Sequence, residues 1–359
     1  MRFLKALGRW LGTSIVVIAI ALIGIRPFLL CLLLPFRYVV LLLALAGACW
    51  SGWRLVRGKE RLGRVSRIAL MASVILGLGC ALWTYQSQFS AYREQLLSFD
   101  SNGAKLVGTL YLPKSGGPFP GMVLVHGSGK FPRHLYHVWA DHFVRRGFAV
   151  LIYDKRGVGP SGGEYESENN TSRKNIEILS NDAANALTAL ATRPEVDPPH
   201  VGFWGISQAG WIVPRAAMIN PRCTFMLLLS APTTTVGEEN DYSNITGDHA
   251  HSDGLTVEKA EEMAARIPAH GFDPLPDLQS LAIPGFWLQG DRDWSIPVQR
   301  SLKILDQLGH ENKSYSYRVF HNAGHAVVIT NGVLVPRLPD GYWESMDQWL
   351  DAVASRERK

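Results

Sequence analysis

The stretch Gly205-Ile206-Ser207-Gln208-Ala209-Gly210 decides the fold that we expect for this chain. It follows the apolar run Val201–Trp204 and precedes a segment with helical character. A serine at a tight strand-to-helix corner projects its hydroxyl from the edge of a sheet, and the residues two before and two after it must be small. Gly205 and Ala209 meet that requirement. Small residues are common, so the pattern gains weight only if an acid and a histidine follow it.

An acidic loop and a histidine loop do follow, each after its own predicted strand. Asp293 lies in Gly290–Pro297, and His325 ends the run Asn322–His325. A serine hydroxyl is a poor nucleophile at neutral pH, so an imidazole must take its proton and a carboxylate must orient that imidazole. The chain order serine, acid, histidine is typical of one class of hydrolytic enzyme and differs from the orders of the chymotrypsin-like and subtilisin-like classes. We therefore predict Ser207, Asp293 and His325 as a catalytic triad.

A second loop predicts a site for the negative oxygen that forms during acyl transfer. Val125-His126-Gly127-Ser128-Gly129 follows a predicted strand and contains a His-Gly pair. Such loops supply one backbone N–H, and the residue after the nucleophile supplies the other. We assign the donors to Ser128 and Gln208, and we expect His126 to shape the loop rather than to transfer protons.

From about Leu96 onward, short apolar runs alternate with amphipathic segments. This rhythm predicts an α/β fold with a mostly parallel sheet and helices on both faces. The interval 233–281 interrupts the rhythm with one clear helix, Thr256–Ile267, and predicts a small lid. The expected strands are Lys105–Leu112, Met122–His126, Ala149–Tyr153, His200–Trp204, Phe225–Leu229, Gly285–Gln289 and Tyr315–Phe320. The expected helices are Leu135–Arg146, Ile176–Thr192, Ala209–Ile219, Val298–Leu308 and Tyr342–Ser355.

With these residues placed, the chain from about Leu96 to its last residue resembles the α/β-hydrolase superfamily. It is most similar to bacterial esterase and serine-aminopeptidase-like members, which share Gly108-Thr109-Leu110-Tyr111-Leu112-Pro113 and Asp154-Lys155-Arg156-Gly157-Val158-Gly159-Pro160-Ser161. The resemblance implies the α/β-hydrolase fold and the triad, but it says little about the substrate. Ile206 and Trp294 depart from the usual residues beside the nucleophile and the acid, which affects the expected shape of the pocket.

The resemblance also bears on two choices among residues. The spacing usual in these members places the acid three residues after Gly290, at Asp293, while Asp291 remains the alternative. For Asp154, Arg156 and Gly157, holding the loop that follows their strand is the expected role, rather than contact with substrate.

The first 90 residues predict a membrane module of about three transmembrane helices, and residues 91–359 the hydrolase domain. Apolar stretches run over Leu11–Ile25, Tyr38–Trp53 and Ile68–Tyr85. The first two are short for a span of about 20 residues, and a cleaved signal peptide is the alternative for the first. The sequence does not determine how the segment between Arg26 and Arg37 connects the first two stretches.

Charge supports this division and sets an orientation. Through Arg93 the chain has twelve Lys or Arg and one acidic residue, out of 36 basic and 31 acidic residues in all, so the remainder is net acidic. The basic loop between the second and third stretches is expected on the cytoplasmic side. That places the catalytic domain on the extracytoplasmic side, most simply in the plasma membrane of a bacterium. The basic excess borders apolar segments, so no nucleic-acid partner is expected.

The sequence thus predicts a serine hydrolase that cleaves carboxylic esters through an acyl-enzyme, without a cofactor. Its expected partners are a small acyl ester, or a peptide or amide, and the lipid bilayer. A peptidase or acyltransferase on the same triad is one alternative. A non-catalytic, membrane-tethered binding module is another, although it would be expected to lack a triad residue. The cluster Asp248–Asp253 has ligands suited to a metal, but surface composition explains it equally, so no metal is assigned.

Overall fold

The computed structural model describes residues 92–166, 171–247, 255–330 and 336–356, with side chains through residue 354. The three apolar stretches of the predicted membrane module lie outside the described residues, so the module and its orientation stay predictions. Within the described residues, every helix is too short or too polar to cross a lipid bilayer.

An eight-stranded sheet forms the centre of the domain, in the order β1-β2-β4-β3-β5-β6-β7-β8. β2 runs antiparallel to β4, and the strands from β4 to β8 are parallel neighbours. This mostly parallel sheet is the predicted α/β-hydrolase arrangement. The strands are β1 Tyr92–Ser101, β2 Ala104–Pro113, β3 Phe119–Val125, β4 Ala149–Tyr153, β5 Val196–Ile206, β6 Cys223–Leu229, β7 Gly285–Gly290 and β8 Tyr315–Phe320.

Helices cover both faces of the sheet, because two neighbouring residues of β5 pack against different helices. Phe203 belongs to the core cluster that contains Val213 and Leu187, which lie on two helices. Trp204, the next residue, contacts Trp139 of another helix with ring centroids 4.8 Å apart. Because successive residues of a strand point to opposite faces, helices must pack on both.

The described helices follow the strands in the predicted alternation. They are α1 His137–Arg145, α2 Arg173–Ala191, α3 Ala209–Ile219, α4 Val236–Thr246, α5 Val257–Ala264, α6 Leu275–Ser280, α7 Val298–His310 and α8 Tyr342–Arg356. Three of these, α4 to α6, lie between β6 and β7 in the predicted lid.

Apart from shifts of a few residues at element ends, three differences from the sequence predictions stand out. β1 was not expected, because its sequence mixes charged and polar residues with few apolar ones. The lid holds two further helices, and α4 begins with a capping box in which Thr235 and Glu238 satisfy each other's backbone N–H groups. The sequence predicts the end of α7 at Gly309, yet the helix continues to His310 and the left-handed residue beyond it is Asn312, with φ of 63°.

Candidate active site

Ser207 occupies the turn between β5 and α3 and has a left-handed φ of 56°. This conformation is uncommon for a residue with a side chain. Two backbone hydrogen bonds hold it: the Ser207 amide donates to the Leu229 carbonyl at 3.0 Å, and the Gly210 amide donates to the Ser207 carbonyl at 2.8 Å. The side chain is half-buried at the carboxyl edge of the sheet. Strain that packing maintains in this way is common at reactive residues.

Close packing around the turn explains its small residues. A Cβ built on Gly205 would lie 2.6 Å from the Cβ of Ala209 and 3.1 Å from a methyl of Val213. A Cβ on Gly210 would lie 2.4 Å from the Pro232 carbonyl oxygen. Real side-chain atoms do not approach so closely, so larger residues would force the turn open.

Asp293 and His325 are brought together in the loops that follow β7 and β8. The Nδ1 of His325 lies 2.9 Å from Oδ2 and 3.2 Å from Oδ1 of Asp293. The Asp293 carboxylate is fully buried, and its Oδ1 also accepts the backbone amides of Ser295 at 2.8 Å and Ile296 at 3.2 Å. The His325 side chain is 23% exposed, so the pair is a buried acid behind an accessible imidazole.

The other candidate acid, Asp291, has different partners. Its carboxylate lies 2.6 Å from the His321 ring and accepts the Asn322 amide at 2.7 Å. It therefore ties the acid loop to the histidine loop.

Backbone geometry keeps the acid and histidine loops in contact. Gly290 is required there, because a Cβ at this position would lie 2.3 Å from the Ala323 carbonyl oxygen. Directly after His325, Ala326 and Val327 both have positive φ, 58° and 57°. For a β-branched valine this is a marked outlier. The histidine is thus carried on a strained turn that the surrounding packing maintains.

The loop after β3 passes beside the serine. A Cβ built on Gly127 would lie 3.2 Å from the Cβ of Ser207, so this backbone lies against the nucleophile candidate. Ser128 is exposed, whereas Gln208 is buried directly before α3. Amides in the first turn of a helix have no acceptor within the helix, which leaves them suited to bind a negative oxygen.

His126 is a buried packing residue at the start of this loop. Its ring stacks on Tyr136 with centroids 4.0 Å apart. Burial, and secondarily the charge of Lys155, holds the pKa of His126 well below its ordinary value. The ring is therefore neutral at physiological pH, which agrees with a structural role.

The motif Asp154–Ser161 fixes loops, which is the role expected for its residues. Asp154 accepts the Arg133 amide at 2.6 Å and forms an ion pair with the Arg133 guanidinium. Arg156 donates to the buried carboxylate of Asp182 at 2.8 Å. Gly157 has φ of 67°, and a Cβ there would lie 2.4 Å from a backbone nitrogen.

Sequence reasoning did not predict the contacts that three residues make with the site's loops. Tyr242 of α4 donates to the Asp293 carbonyl at 2.8 Å, and Thr246 donates to the Trp294 carbonyl at 2.6 Å. The lid therefore supports the acid loop. Lys155 is buried, and its Nζ contacts Gly127 and Gln208. The sequence contained a signal for α4, the Thr-x-x-Glu capping pattern, but none for contacts at such distance along the chain.

Within the residues that the structure describes, no three His, Cys, Asp or Glu side chains form a group that could hold a metal ion. The sequence cluster Asp248–Asp253 lies outside those residues, so the question of a metal there stays open. Two aromatic residues near this edge of the sheet, Trp211 and Tyr242, are buried. The ring nitrogen of Trp211 donates to the Thr234 carbonyl at 2.8 Å.

Gly205→Ala is expected to damage the turn. The added methyl would overlap Ala209 and cost about 1–3 kcal/mol of unfolding free energy, and displacement of Ser207 would lower catalytic activity on acyl substrates at least tenfold. The matched control is Gly309→Ala, which has no heavy atom within 4 Å of its added Cβ and lies within α7. The control should be neutral or slightly stabilising. Urea unfolding and ester hydrolysis measure both effects. A Gly205→Ala protein with normal stability and activity would contradict the packing described for the turn.

Comparison with known proteins supports the fold and identifies the family. A solved esterase of Pyrococcus furiosus superposes with a TM-score of 0.55 at 18% identity, over 74% of this chain and 93% of that one. A thiohydrolase of Aspergillus aculeatus, aneE, is 32% identical over 145 residues, 40% of this chain and 43% of its own. A polyketide transferase of Penicillium crustosum, claH, is 34% identical over 103 residues, 29% of this chain and 32% of its own.

The matched segments therefore span less than half the length of these two curated relatives. The family model covers much more of the chain, because residues 136–353 match that of the prolyl oligopeptidase family. This segment begins at the 3-10 turn before α1 and contains Ser207, Asp293 and His325. The chain belongs to the prolyl oligopeptidase family, within the α/β-hydrolase superfamily.

Proposed function

We propose that this protein is a serine hydrolase in which Ser207, His325 and Asp293 act as nucleophile, base and orienting acid. The observation that carries the proposal is the bond from buried Asp293 to the accessible imidazole of His325, at the same edge of the sheet as the strained Ser207 turn. Family membership agrees with it, because the matched segment contains all three residues.

In the first half of the reaction, the Ser207 hydroxyl attacks the carbonyl carbon of an ester. The Nε2 of His325 accepts the hydroxyl proton as the new C–O bond forms. Asp293 lies on the Nδ1 side, so it holds the proton there and leaves Nε2 as the acceptor. It also stabilises the charged imidazole that results. The amides of Ser295 and Ile296 fix the direction of the carboxylate.

The tetrahedral intermediate places a negative charge on the former carbonyl oxygen. We assign its binding to the backbone amides of Ser128 and Gln208, because the Gly127 backbone lies beside Ser207 and Gln208 follows it. Loss of one such donor typically raises the barrier by about 2.7–4 kcal/mol.

The second half releases the acyl group. His325 gives its proton to the leaving alkoxide, which departs and leaves an acyl-Ser207 ester. Water then attacks the acyl carbonyl carbon while His325 takes one of its protons. The resulting tetrahedral intermediate collapses by breaking the bond to the Ser207 oxygen, which releases the carboxylic acid. Ser207 recovers its hydrogen from His325, so every atom is balanced and no cofactor takes part.

Thioester hydrolysis, or acyl transfer to another acceptor, is the second candidate. It is favoured by the names of two matched relatives, a thiohydrolase and a polyketide transferase. Both reactions pass through the same acyl-enzyme and differ only in the leaving group or in the molecule that accepts the acyl group. Peptide hydrolysis also uses this chemistry, but it needs stronger protonation of the leaving amine.

The nucleophile is tested by covalent labelling. A fluorophosphonate should label the folded protein at Ser207, because only an activated serine attacks phosphorus at a useful rate. Ser207→Ala should abolish labelling and lower kcat by at least about 10⁴-fold. The control Ser316→Ala changes an exposed serine on β8 and should leave both unchanged. A folded wild-type protein that is neither labelled nor active on any acyl substrate would refute the proposal.

The choice of acid is tested by two matched substitutions. Asp293→Asn should lower kcat roughly 10⁴-fold, because an amide cannot hold His325 in the required tautomer. Asp291→Asn removes the same charge two residues away, where the partners are His321 and Asn322. It should lower kcat less than about tenfold, since its bonds only join two loops. Steady-state ester hydrolysis by both variants decides the matter, and the reverse ranking would move the acid role to Asp291.

The acyl substrate class is tested with one acyl group on three leaving groups. We expect kcat/KM for a p-nitrophenyl ester and for an N-acetylcysteamine thioester to exceed that for the matched p-nitroanilide at least a hundredfold. The amide bond is the hardest to break, and its amine must be protonated as it leaves. Ser207→Ala supplies the background rate. Adding a primary alcohol distinguishes transfer from hydrolysis by the ester it forms. Preference for the anilide would instead favour a peptidase.

A further inference from the structure

Lys155 is a buried lysine with an unusual environment. It follows β4 and is 3% exposed. No ion pair in the described part of the chain includes it, although lysine is rarely buried unless it is paired. Burial alone lowers the pKa of its ammonium group to about 7. Burying such a group costs free energy unless its hydrogen bonds compensate, so the contacts of Lys155 are important.

The two contacts of Lys155 join separate parts of the candidate site. Its Nζ donates to the Gly127 carbonyl oxygen at 2.6 Å and to the Gln208 side-chain Oε1 at 2.7 Å. Gly127 lies on the loop after β3, and Gln208 follows the nucleophile candidate on the turn after β5. These acceptors are 28 residues before and 53 residues after the lysine in sequence.

The contact with Gly127 acts on the amide that we assign to oxyanion binding. The Gly127 carbonyl and the Ser128 N–H belong to one peptide group, which is planar with the two bonds pointing in opposite directions. A hydrogen bond that fixes the carbonyl therefore fixes the direction of the N–H. Because the donor carries charge when protonated, it also polarises the peptide and strengthens the N–H as a donor.

The contact with Gln208 acts on the second amide. The Gln208 side chain is anchored to the lysine, so the residue that supplies the second N–H is held relative to the first. We propose that Lys155 is a positioning residue of the oxyanion site, which orients the Ser128 and Gln208 amides through these two hydrogen bonds. This inference rests on the proposed function, because it requires that an oxyanion forms there.

Lys155→Met tests the inference, since methionine fills a similar volume but donates no hydrogen bond. We expect kcat for ester hydrolysis to fall tenfold to a hundredfold, while KM changes less than threefold. An acyl trifluoromethyl ketone, which forms a tetrahedral oxyanion with serine, should lose affinity by a similar factor to kcat/KM. A merely structural lysine would affect stability without this selective loss of the oxyanion analogue.

The matched control is Lys313→Met. Lys313 also donates to a backbone carbonyl, that of Leu281 at 3.0 Å, but it lies between α7 and β8. Its kcat, KM and analogue affinity should stay within twofold of wild type. A folded Lys155→Met protein with kcat and analogue affinity within threefold of wild type would overturn the inference.

Gln208→Leu provides the second variant, because it removes the Oε1 acceptor and keeps the backbone N–H. If Lys155→Met fails to fold, the Gln208→Leu variant is the deciding test. A kcat at least fivefold lower at constant KM supports the inference, and an unchanged kcat overturns it. Failure of the proposed function would appear separately, as the absence of Ser207 labelling and of acyl hydrolysis in the wild-type protein.

Discussion

Parallel strands end at one edge of the sheet, and the whole candidate site depends on that convergence. β3, β5, β7 and β8 share this direction, and their following loops carry Gly127, Ser207, Asp293 and His325. A parallel neighbour can be reached only by a crossover, so residues that meet at the edge must be far apart in sequence. The alternation of strands and helices therefore brings these distant loops together, and the polar residues of the candidate site lie on them.

Convergence alone does not bring functional groups within hydrogen-bond distance, because side chains on the connecting backbones would keep the loops apart. Glycine solves this at two places: Gly127 lies against Ser207, and Gly290 lies against the Ala323 carbonyl. Ser207 and Val327, in two of these loops, also have strained positive φ values. Each costs on the order of 1–3 kcal/mol, a cost that is offset by the buried core strands on which these turns are mounted.

Local signals and long-range contacts differ in how far the sequence predicts them. Most of the seven predicted strands, and the turn at Gly205–Ala209, were predictable because continuous apolar runs and small residues are local properties. β1 was not, because an edge strand with charged residues lacks such a run. The predicted pairing of Asp293 with His325 rested on motif spacing, and the two side chains do meet. Lys155 gave no local signal, since its role depends on which loops the crossovers bring beside it.

The consecutive residues Asp154, Lys155 and Arg156 act together on the loop that carries the Ser128 amide. Asp154 holds Arg133 through both backbone and side chain, and Lys155 holds the Gly127 carbonyl. Gly127 and Arg133 are the two ends of the loop that carries the Ser128 amide, so consecutive residues fasten this loop at both ends. Arg156, bonded to buried Asp182 on α2, fixes the run itself to the helical layer. The position of the Ser128 amide therefore depends on contacts that lead from both ends of its loop, through the run 154–156, to α2.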